Sequence, residues 1–282
     1  MVTRRDLLGL GGFWVTDLAL STPGQNSSKT NTGFRPLFDG VSLRGWKREP
    51  RSLAQPSLGK WTVQDGAIIG GQETPGIGSY LVTEETFANF ELQIEARPDW
   101  PADTGILVRT NAQGNIGFQV LLDYRPHGGI GGYYGNGLGN FIAYNYGFTA
   151  EKDKEGHVVR LIPEKPIVRP NTHPVPLDFC APAEVFLRIW KLNGWNQFRI
   201  RSVGELPHLT TWINGEKITE LNTSKIQAPG WDAKKVLNRI GRAGHIALEI
   251  HSNGPHDWLG KERWWPGNVC RWRNISIKTL PA

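Results

Sequence analysis

Short runs in which apolar and polar residues alternate, separated by turn residues, make up the sequence from Phe34 onward. In the segment 90–97 every even position is apolar and every odd position is polar or charged. A period of two is typical of a β-strand with one buried face. Only residues 231–238 have a brief helical pattern. Runs like the first predict further strands at 60–63, 67–69, 105–109, 117–123, 185–191, 197–201, 209–213, 216–218, 245–251 and 269–278.

Two dipeptides predict tight hairpins between these strands. Asp65-Gly66 and Asn214-Gly215 each join two apolar runs, and such pairs favour type I′ turns. About a dozen strands with almost no helix indicate an antiparallel β-sandwich or barrel. We therefore expect a single all-β domain over residues 34–282.

The segment 125–182 differs from its surroundings. It begins with a glycine-rich run at 128–137 and continues through charged and proline-rich stretches with few strand signals. A long loop inside a compact domain is usually functional or an insertion. We expect a long loop insertion here.

The first 33 residues have the composition of a targeting segment. Arg4 and Arg5 precede an apolar stretch, 7–20, which is followed by small residues. This arrangement predicts a twin-arginine export signal over residues 1–21 and thus a periplasmic or secreted bacterial protein. Residues 22–33 are rich in Ser, Asn, Thr and Gly and predict a flexible linker. The alternative is an unstructured start that happens to contain two arginines.

The cysteines leave two alternatives open. Cys180 and Cys270 are the only two in the chain. In an oxidising compartment they could form a disulfide. Otherwise they are buried free thiols, which behave as small hydrophobic side chains.

Composition excludes several classes of protein. The hydrophobic share of 39% and the 12 Trp exclude a disordered chain. No apolar stretch reaches the roughly 18 residues of a membrane span. The net charge is +6, but the basic residues are scattered, with no run of Lys or Arg longer than two. We therefore expect neither a nucleic-acid partner nor a membrane span.

Three predicted strands place polar groups on the face that points away from the core. If the strands are neighbours, these groups line one concave surface, which suits a sugar because sugars need many hydrogen bonds. The alternative is a merely solvated outer face. The polar residues are Arg109, Gln119, Asp123, Glu249 and His251.

Glu249 and His251 stand out among them. A spacing of two in a strand puts both side chains on one face, roughly 7 Å apart. A carboxylate beside an imidazole can transfer protons or bind a metal. The candidate ligands of a divalent cation are Asp123, Glu249 and His251, and no organic cofactor is expected.

Sugar sites also use aromatic platforms and amide groups. The candidates for contacts with a sugar, besides Gln119, are Tyr133, Tyr134, Asn136, Trp195 and Trp258. The paired-carboxylate motif of retaining glucanases on such sandwiches, Glu-x-Asp-x-x-Glu, does not occur. Ordinary two-carboxylate glycoside hydrolysis is therefore poorly supported.

Several motifs, in this order, resemble those of the 3-keto-disaccharide hydrolase domain family. The resemblance covers nearly all of residues 34–280. The motifs are FDGVSLRGW at 38–46, WTVQDG at 61–66, NFEL at 89–92, TGILVR at 104–109, GFQVLLD at 117–123, WING at 212–215, GHIALEIH at 244–251 and RWRNI at 271–275.

The resemblance implies a concanavalin A-like jelly roll of two antiparallel sheets and a carbohydrate substrate. It also implies a reaction in which a ketone at C3 of the sugar acidifies the proton at C2, a base removes it, and the aglycone leaves from C1. His251 would then be the base, with Glu249 orienting it or acting as an acid. Arg109, or a cation held by Asp123, Glu249 or His251, would stabilise the enediolate.

Two departures from the family pattern affect the site. Many members have Glu then Gln where this chain has Gln119 and Leu121. Many also have Gln-x-His-Gly at 249–252, where this chain has Glu-Ile-His-Ser. Three functions therefore remain as alternatives: a 3-keto-glycoside hydrolase or lyase, a non-catalytic carbohydrate-binding module, and a conventional glycoside hydrolase.

Overall fold

The structure is a computed structural model that describes residues 33–253 and 259–281. The predicted export signal and nearly all of the predicted linker lie outside this part of the chain, as does Trp258. Residues from 33 onward form one compact unit. Among the described residues, no helix is long and apolar enough to cross a membrane.

Strands account for most of the regular structure. In chain order they are β1 (Arg35–Pro36), β2 (Trp46–Pro50), β3 (Lys60–Gln64), β4 (Ala67–Gly71), β5 (Ser79–Thr83), β6 (Phe90–Pro98), β7 (Thr104–Thr110), β8 (Gly117–Asp123), β9 (Gly129–Asn136), β10 (Phe141–Ala143), β11 (Gly147–Lys152), β12 (Val158–Glu164), β13 (His173–Pro174), β14 (Phe179–Cys180), β15 (Asn196–Val203), β16 (His208–Ile213), β17 (Glu216–Asn222), β18 (His245–Ile250) and β19 (Val269–Thr279). The helices are α1 (Ala183–Ile189), α2 (Ala233–Ile240) and two 3₁₀ turns, Thr223–Lys225 and Gly260–Arg263.

Two large sheets confirm the predicted sandwich. The nine-stranded sheet has the order β14-β17-β16-β15-β6-β19-β4-β3, with β1 also paired to β19. The eight-stranded sheet has the order β13-β10-β9-β8-β7-β18-β5-β2. All strand pairs in them are antiparallel except β10 with β13, and β11 and β12 form a separate hairpin.

The core lies between the two sheets. On β6 the burial of the side chains follows the alternation of the sequence. The even-numbered residues from Phe90 to Ala96 are fully buried, and the odd-numbered ones are half-buried. Ile106, Val108, Phe118 and Val120 face them from the eight-stranded sheet. Each such side chain stabilises the fold by roughly 1.5–3 kcal/mol through removal of apolar surface from water.

Both predicted hairpin turns are present. Asp65 and Gly66 have φ angles of 51° and 71°, and Asn214 and Gly215 have φ angles of 48° and 92°. Two consecutive positive φ angles define the type I′ turn, which matches the twist of the flanking strands. The turns join β3 to β4 and β16 to β17.

The prediction of a long loop over 125–182 is wrong, because β9 to β14 lie in this segment. The glycines of β9 interrupt the alternation of apolar and polar residues by which a strand is recognised in the sequence. At these positions the neighbouring atoms leave no room for a side chain. A Cβ on Gly135 would lie 2.3 Å from the ring of Phe141, and one on Gly132 would lie 2.8 Å from the carbonyl oxygen of Ala143.

The prediction of a strand at 185–191 is also wrong, since α1 occupies most of that segment. The alternation there is coincidental, whereas Phe186 and Trp190 are four residues apart and stack at 5.2 Å. The predicted helix at 231–238 is confirmed by α2, where Asp232 accepts a hydrogen bond from the Lys235 N–H at 3.0 Å.

The two cysteines do not pair. Cys180 is exposed on β14 and Cys270 is buried on β19, and both are free thiols. Four strands of the nine-stranded sheet separate β14 from β19. At about 4.8 Å per strand spacing, the two lie about 24 Å apart, too far for a disulfide.

The outer face of the eight-stranded sheet is unusually well buried. Every residue of β7 and β8 is buried, although an antiparallel sheet commonly exposes one face. A second small apolar cluster, Tyr80, Val82, Leu107 and Ala247, lies on this outer face. Polar side chains there are therefore shielded from bulk water.

Candidate functional site

Glu249 on β18 is deeply buried on the outer face, with 1% of its side chain exposed. Gln119 Nε2 donates to Oε2 at 2.6 Å, and Arg51 Nη1 donates to Oε1 at 2.5 Å. The Tyr80 hydroxyl also donates to Oε1, at 3.3 Å. A buried carboxylate needs such partners, because an unpaired charge in this environment would be very costly.

The pairing of Gln119 with Glu249 follows from the local strand geometry. Gln119 on β8 lies beside Gly105 on β7, and a Cβ on Gly105 would lie 2.3 Å from Gln119 Nε2. The absence of a side chain at Gly105 thus leaves the space in which Gln119 extends toward β18. The backbone of Glu249 is also held by β7, since Thr104 Oγ1 donates to the Glu249 carbonyl oxygen at 2.6 Å.

His251, directly after β18, has a defined tautomer. Its Nδ1 lies 2.6 Å from the carbonyl oxygen of Ser252. Because a carbonyl oxygen only accepts, Nδ1 carries the proton and Nε2 keeps its lone pair. Nε2 lies 3.2 Å from Arg51 Nη2 and 2.8 Å from Arg263 Nη1.

The charge state of His251 is set by its surroundings. Burial lowers the pKa of this imidazole well below its usual value, and the positive charges of Arg51 and Arg263 lower it further. The imidazole is therefore neutral near pH 7. With 14% of the side chain exposed, it still has contact with solvent.

The backbone around His251 is fixed by side chains from two other segments. Gln72 Nε2 donates to the carbonyl oxygen of His251 at 2.8 Å. Ser252 Oγ accepts from the Gly78 N–H at 2.9 Å and donates to Gln55 at 2.8 Å. These contacts hold the imidazole at the end of β18.

Asp123 lies in a second group of charges beside the first. Its carboxylate accepts two hydrogen bonds from the Arg125 guanidinium, from Nε and Nη2, both at 2.7 Å, and a third from the Arg125 backbone N–H at 3.1 Å. Arg169 Nη2 donates a further one at 3.0 Å. A bidentate arginine pair of this kind is strong and fixes the orientation of both groups.

Asp103 joins the two groups. Its Oδ2 lies 2.8 Å from Arg125 Nη2, 3.4 Å from Arg263 Nη1 and 4.0 Å from His251 Nε2. Burial alone would raise the pKa of Asp103, but the charges of Arg125 and Arg263 outweigh it and lower the pKa. Asp103 is therefore an anion that holds two of the arginines.

Two of the predicted sugar contacts border this cluster. Asn136 Nδ2 donates to the Tyr80 hydroxyl at 3.3 Å, and the Tyr134 hydroxyl donates to Asn140 Oδ1 at 3.2 Å. Both Asn136 and Tyr134 are half-buried, so part of each side chain remains available to a ligand.

Two other predicted sugar contacts lie elsewhere. Tyr133 points into the core, where its hydroxyl lies 3.0 Å from Thr211 Oγ1 of the opposite sheet. The Trp195 ring lies against Arg97 and Arg273, which belong to the nine-stranded sheet. Adjacent residues of a strand face opposite sides, so Tyr134 borders the cluster and Tyr133 does not.

Arg109 is also not in the cluster, although sequence alternation places it on the same face. A positive φ of 53° and the β-bulge between β7 and β18 turn its side chain aside. Its guanidinium is buried and donates at 2.9–3.3 Å to four backbone carbonyls, those of Ala88, Gly204, Glu205 and Gly241. Burial lowers the pKa of Arg109 to about 10. This arginine joins loops and does not serve the site.

The predicted metal ligands do not fit a divalent cation in this arrangement. The donor atoms of Asp123, Glu249 and His251 each contact a guanidinium N–H. A cation at these atoms would have to displace a hydrogen bond and would meet a like charge in a poorly hydrated site. The nearest arginines are Arg125, Arg51 and Arg263, respectively.

Six side chains of the site were missed by the sequence analysis. They lie on loops or on strands without alternation, so no periodicity identifies them. The six are Arg51, Tyr80, Asp103, Arg125, Arg169 and Arg263. One available signal was the proximity of Arg125 to Asp123, two residues apart.

A two-sheet antiparallel sandwich of this kind is a jelly-roll architecture, here with a polar, charge-paired cluster on one outer sheet face. The family comparison agrees with this class. The chain belongs to the family described as the 3-keto-alpha-glucoside-1,2-lyase-like domain, whose model matches residues 33–278. The resemblance predicted from the sequence motifs is thereby confirmed.

Individual relatives and solved structures match the chain over a shorter stretch or at low sequence identity. A 3-keto-disaccharide hydrolase of Bacteroides thetaiotaomicron is 34% identical over 79 residues, which are 26% of this chain and 26% of that protein. A "putative glycosyl hydrolase" of Parabacteroides distasonis has 16% identity over 88% of this chain and 94% of its own, with a TM-score of 0.49. A carbohydrate-binding module of Bacillus subtilis has 8% identity over 83% and 96%, with a TM-score of 0.42.

Proposed function

We propose that this protein cleaves glycosides whose sugar carries a ketone at C3, by removing the proton at C2 and eliminating the aglycone from C1. The observation that carries the proposal is the state of His251. Its Nδ1 proton is bound by the Ser252 carbonyl, and its Nε2 lone pair accepts from Arg263 Nη1 at 2.8 Å, in a side chain that is 14% exposed. A neutral imidazole held in one tautomer is a suitable general base once the substrate replaces the arginine N–H at Nε2.

The reaction balances with this one base. Nε2 takes the C2 proton, the C–H electron pair forms a C2–C3 double bond, and the carbonyl pair moves to the C3 oxygen as an enediolate. When the enediolate collapses, a C1–C2 double bond forms and the aglycone oxygen leaves with the proton returned by His251. Addition of water to the resulting enone then gives the products of hydrolysis.

Glu249 has a different role from the one expected from spacing alone. Among the described contacts, Arg51 links Glu249 to His251, since its guanidinium binds both. Glu249 therefore orients the base indirectly, through Arg51. Gln119 holds Glu249, while Asn136 and Tyr134 are left to contact the sugar.

Conventional glycoside hydrolysis has less support in this arrangement. That chemistry needs one carboxylic acid to protonate the leaving group and one free carboxylate as base or nucleophile. Asp103, Asp123 and Glu249 each form an ion pair with an arginine, which occupies carboxylate oxygens that this chemistry needs free. None of these three side chains lies open beside a second free carboxyl group.

We also propose export, on the basis of the twin-arginine pattern at residues 1–21. A segment with paired arginines followed by an apolar stretch and small residues is typical of such signals. A fusion of these residues to a reporter that is active only after export tests this part of the proposal, with Arg4→Lys and Arg5→Lys together as the matched control.

The first test is turnover of a chromogenic 3-keto-glucoside beside its unoxidised parent. We expect release of the chromophore from the keto substrate alone, because only the ketone acidifies the C2 proton. Release from the unoxidised parent at a similar rate would instead indicate a conventional glycosidase. Release from neither, with binding of the sugar, would indicate a carbohydrate-binding module.

The pH profile follows from the lowered pKa of His251. Its neutral form is fully present above that pKa and is lost only as the pH falls through it. We therefore expect kcat/KM to be flat through pH 6.5 and to decline only well below it. The groups facing the imidazole are Arg51, Arg263, Arg169 and Asp103. An acid limb centred at or above pH 6.5 would contradict His251 as the base.

A further inference from the structure

Two guanidinium groups from distant parts of the sequence converge on one imidazole nitrogen. Arg51 follows β2 and Arg263 ends the 3₁₀ turn that precedes β19, yet both lie within 3.2 Å of His251 Nε2. An imidazole nitrogen has a single lone pair, so it accepts only one of these two N–H groups well. Arg263 Nη1 is at the shorter distance, 2.8 Å, so the N–H of Arg51 Nη2, at 3.2 Å, is the less well accepted of the two.

We propose that Arg51 and Arg263 form an oxyanion clamp, a pair of guanidinium groups that binds the C3 oxygen of the enediolate. This inference rests on the proposed function and adds two catalytic residues to it. When Nε2 takes the C2 proton, it stops being an acceptor. The negative charge reaches the C3 oxygen in the same step, so the N–H that Nε2 had accepted gains the oxyanion as its acceptor and the second N–H donates beside it.

The clamp is held in place before the substrate binds. Arg51 is fixed by the Glu249 carboxylate and by the ring of Tyr80, 5.5 Å from its guanidinium carbon. Arg263 lies 3.4 Å from the Asp103 carboxylate. Donors that are already oriented toward a developing charge need no reorganisation in the transition state, which makes them effective.

Exposure distinguishes Arg51 from the carboxylate that supports it. The Arg51 side chain is 20% exposed, whereas Glu249 is 1% exposed, so Arg51 is the member of the clamp that solvent and substrate reach more readily. Arg263 is 6% exposed and Asp103 is 1% exposed, so this second pair is buried deeper. The positive charge that weakens His251 as a base in the free protein is the charge that stabilises the enediolate.

The clamp also accounts for the poor fit of a metal. A divalent cation is one way to stabilise an enediolate, and a pair of guanidinium groups is another. Here the guanidinium groups occupy the atoms that a cation would need. We accordingly expect catalysis to persist in EDTA, and the melting temperature to be unchanged by added Ca²⁺ or Mn²⁺.

Ascorbate provides a probe of the clamp that does not depend on turnover, because it is a stable enediolate anion at neutral pH. Binding of sodium ascorbate and turnover of the 3-keto-glucoside are measured for the full chain and for Arg51→Met and Arg51→Lys. The lysine variant keeps a positive charge against Glu249, which protects the fold. Arg199→Met is the matched control, since Arg199 lies over Trp212 on the nine-stranded sheet.

We expect Arg51→Met to weaken ascorbate binding at least tenfold and to lower kcat by roughly 10²–10³-fold, the usual effect of losing one oxyanion donor. KM should change far less than kcat. Arg51→Lys should retain part of the binding, and added guanidinium ion should restore part of the activity of Arg51→Ala. Arg199→Met should match the unsubstituted protein in both measurements.

Failure of the clamp and failure of the proposed function give different results. Turnover of the keto substrate with unchanged kcat in Arg51→Met overturns the clamp and leaves the function in place. Absence of ascorbate binding, or equal binding by the unsubstituted protein and Arg51→Met, also overturns the clamp. Arg51-dependent ascorbate binding without turnover of any 3-keto-glycoside supports the clamp as an enediolate-binding site and overturns the function.

Discussion

Replacement of His251 by alanine should lower kcat for a 3-keto-glucoside by about 10²–10⁴-fold, the range attributed to a general base. His251 offers a neutral nitrogen lone pair in a tautomer that is fixed by a backbone carbonyl. The side chain lies at the edge of the cluster, so its loss leaves the core of the sandwich intact. The decisive measurement is exchange of the C2 proton with deuterated solvent, which should be lost together with release of the aglycone.

His251→Asn is the matched variant for this experiment. Its amide N–H can replace the hydrogen bond from Nδ1 to the Ser252 carbonyl, but it has no basic atom, so it should be as inactive as the alanine variant. His208→Ala, in a half-buried histidine of the nine-stranded sheet, should behave as the unsubstituted protein. If proton exchange persists in His251→Ala while elimination stops, another residue is the base and His251 serves the leaving group.

Arg109→Met should have the largest effect on stability and little effect on the reaction. The variant removes a charged donor from four backbone carbonyls, where each such hydrogen bond contributes about 1.5–3 kcal/mol. Water that enters the loops offsets part of the loss, so we expect the free energy of unfolding to fall by about 4 kcal/mol. For a domain of this size, the melting temperature should fall by roughly 8–16 °C.

Arg160→Met is the control for Arg109→Met. The Arg160 side chain is 69% exposed and its ion pair with Glu151 has a distance of 3.7 Å, so its loss should leave the melting temperature nearly unchanged. Below its melting transition, Arg109→Met should turn over substrate at a rate within about twofold of the unsubstituted protein. A variant that is fully stable but inactive would restore Arg109 to the catalytic site.

Strand periodicity predicted the part of the site that lies on regular strands. Gln119 and Glu249 were placed on one outer face by a period of two, and the structure brings them to 2.6 Å. The same reasoning failed for Arg109, because a bulge breaks the alternation at that residue. Alternation is thus informative about a side chain only as far as the ladder of hydrogen bonds is regular.

The arginines could not be predicted for a different reason. Three of them lie outside the strands: Arg51, Arg169 and Arg263. In such segments the neighbouring residues in the sequence do not show which way a side chain points. Their positions depend on which carboxylate each one meets after the sheets have formed. A buried carboxylate such as Asp123 requires counter-charges, so basic partners are expected in general, but the sequence does not identify which residues supply them.

The glycine-rich segment at 128–137 marks another limit. Without alternating apolar residues, nothing in the sequence shows which of Tyr133 and Tyr134 faces the core. The structure places Tyr133 between the sheets and Tyr134 at the site. The glycines themselves were the missed signal, since a strand packed closely on both sides excludes side chains at those positions.

The pairing of β1 with β19 brings the two ends of the described chain together. Arg35 lies opposite Ile277, and Pro36 opposite Ser276, in the nine-stranded sheet. The cluster around Glu249 and His251 lies on the outer face of the other sheet, across the thickness of the sandwich. A tether, a solid support or a second domain joined at either end would therefore be attached on the opposite sheet and leave this outer face uncovered. The same proximity makes the domain suited to circular permutation through a short linker between its ends.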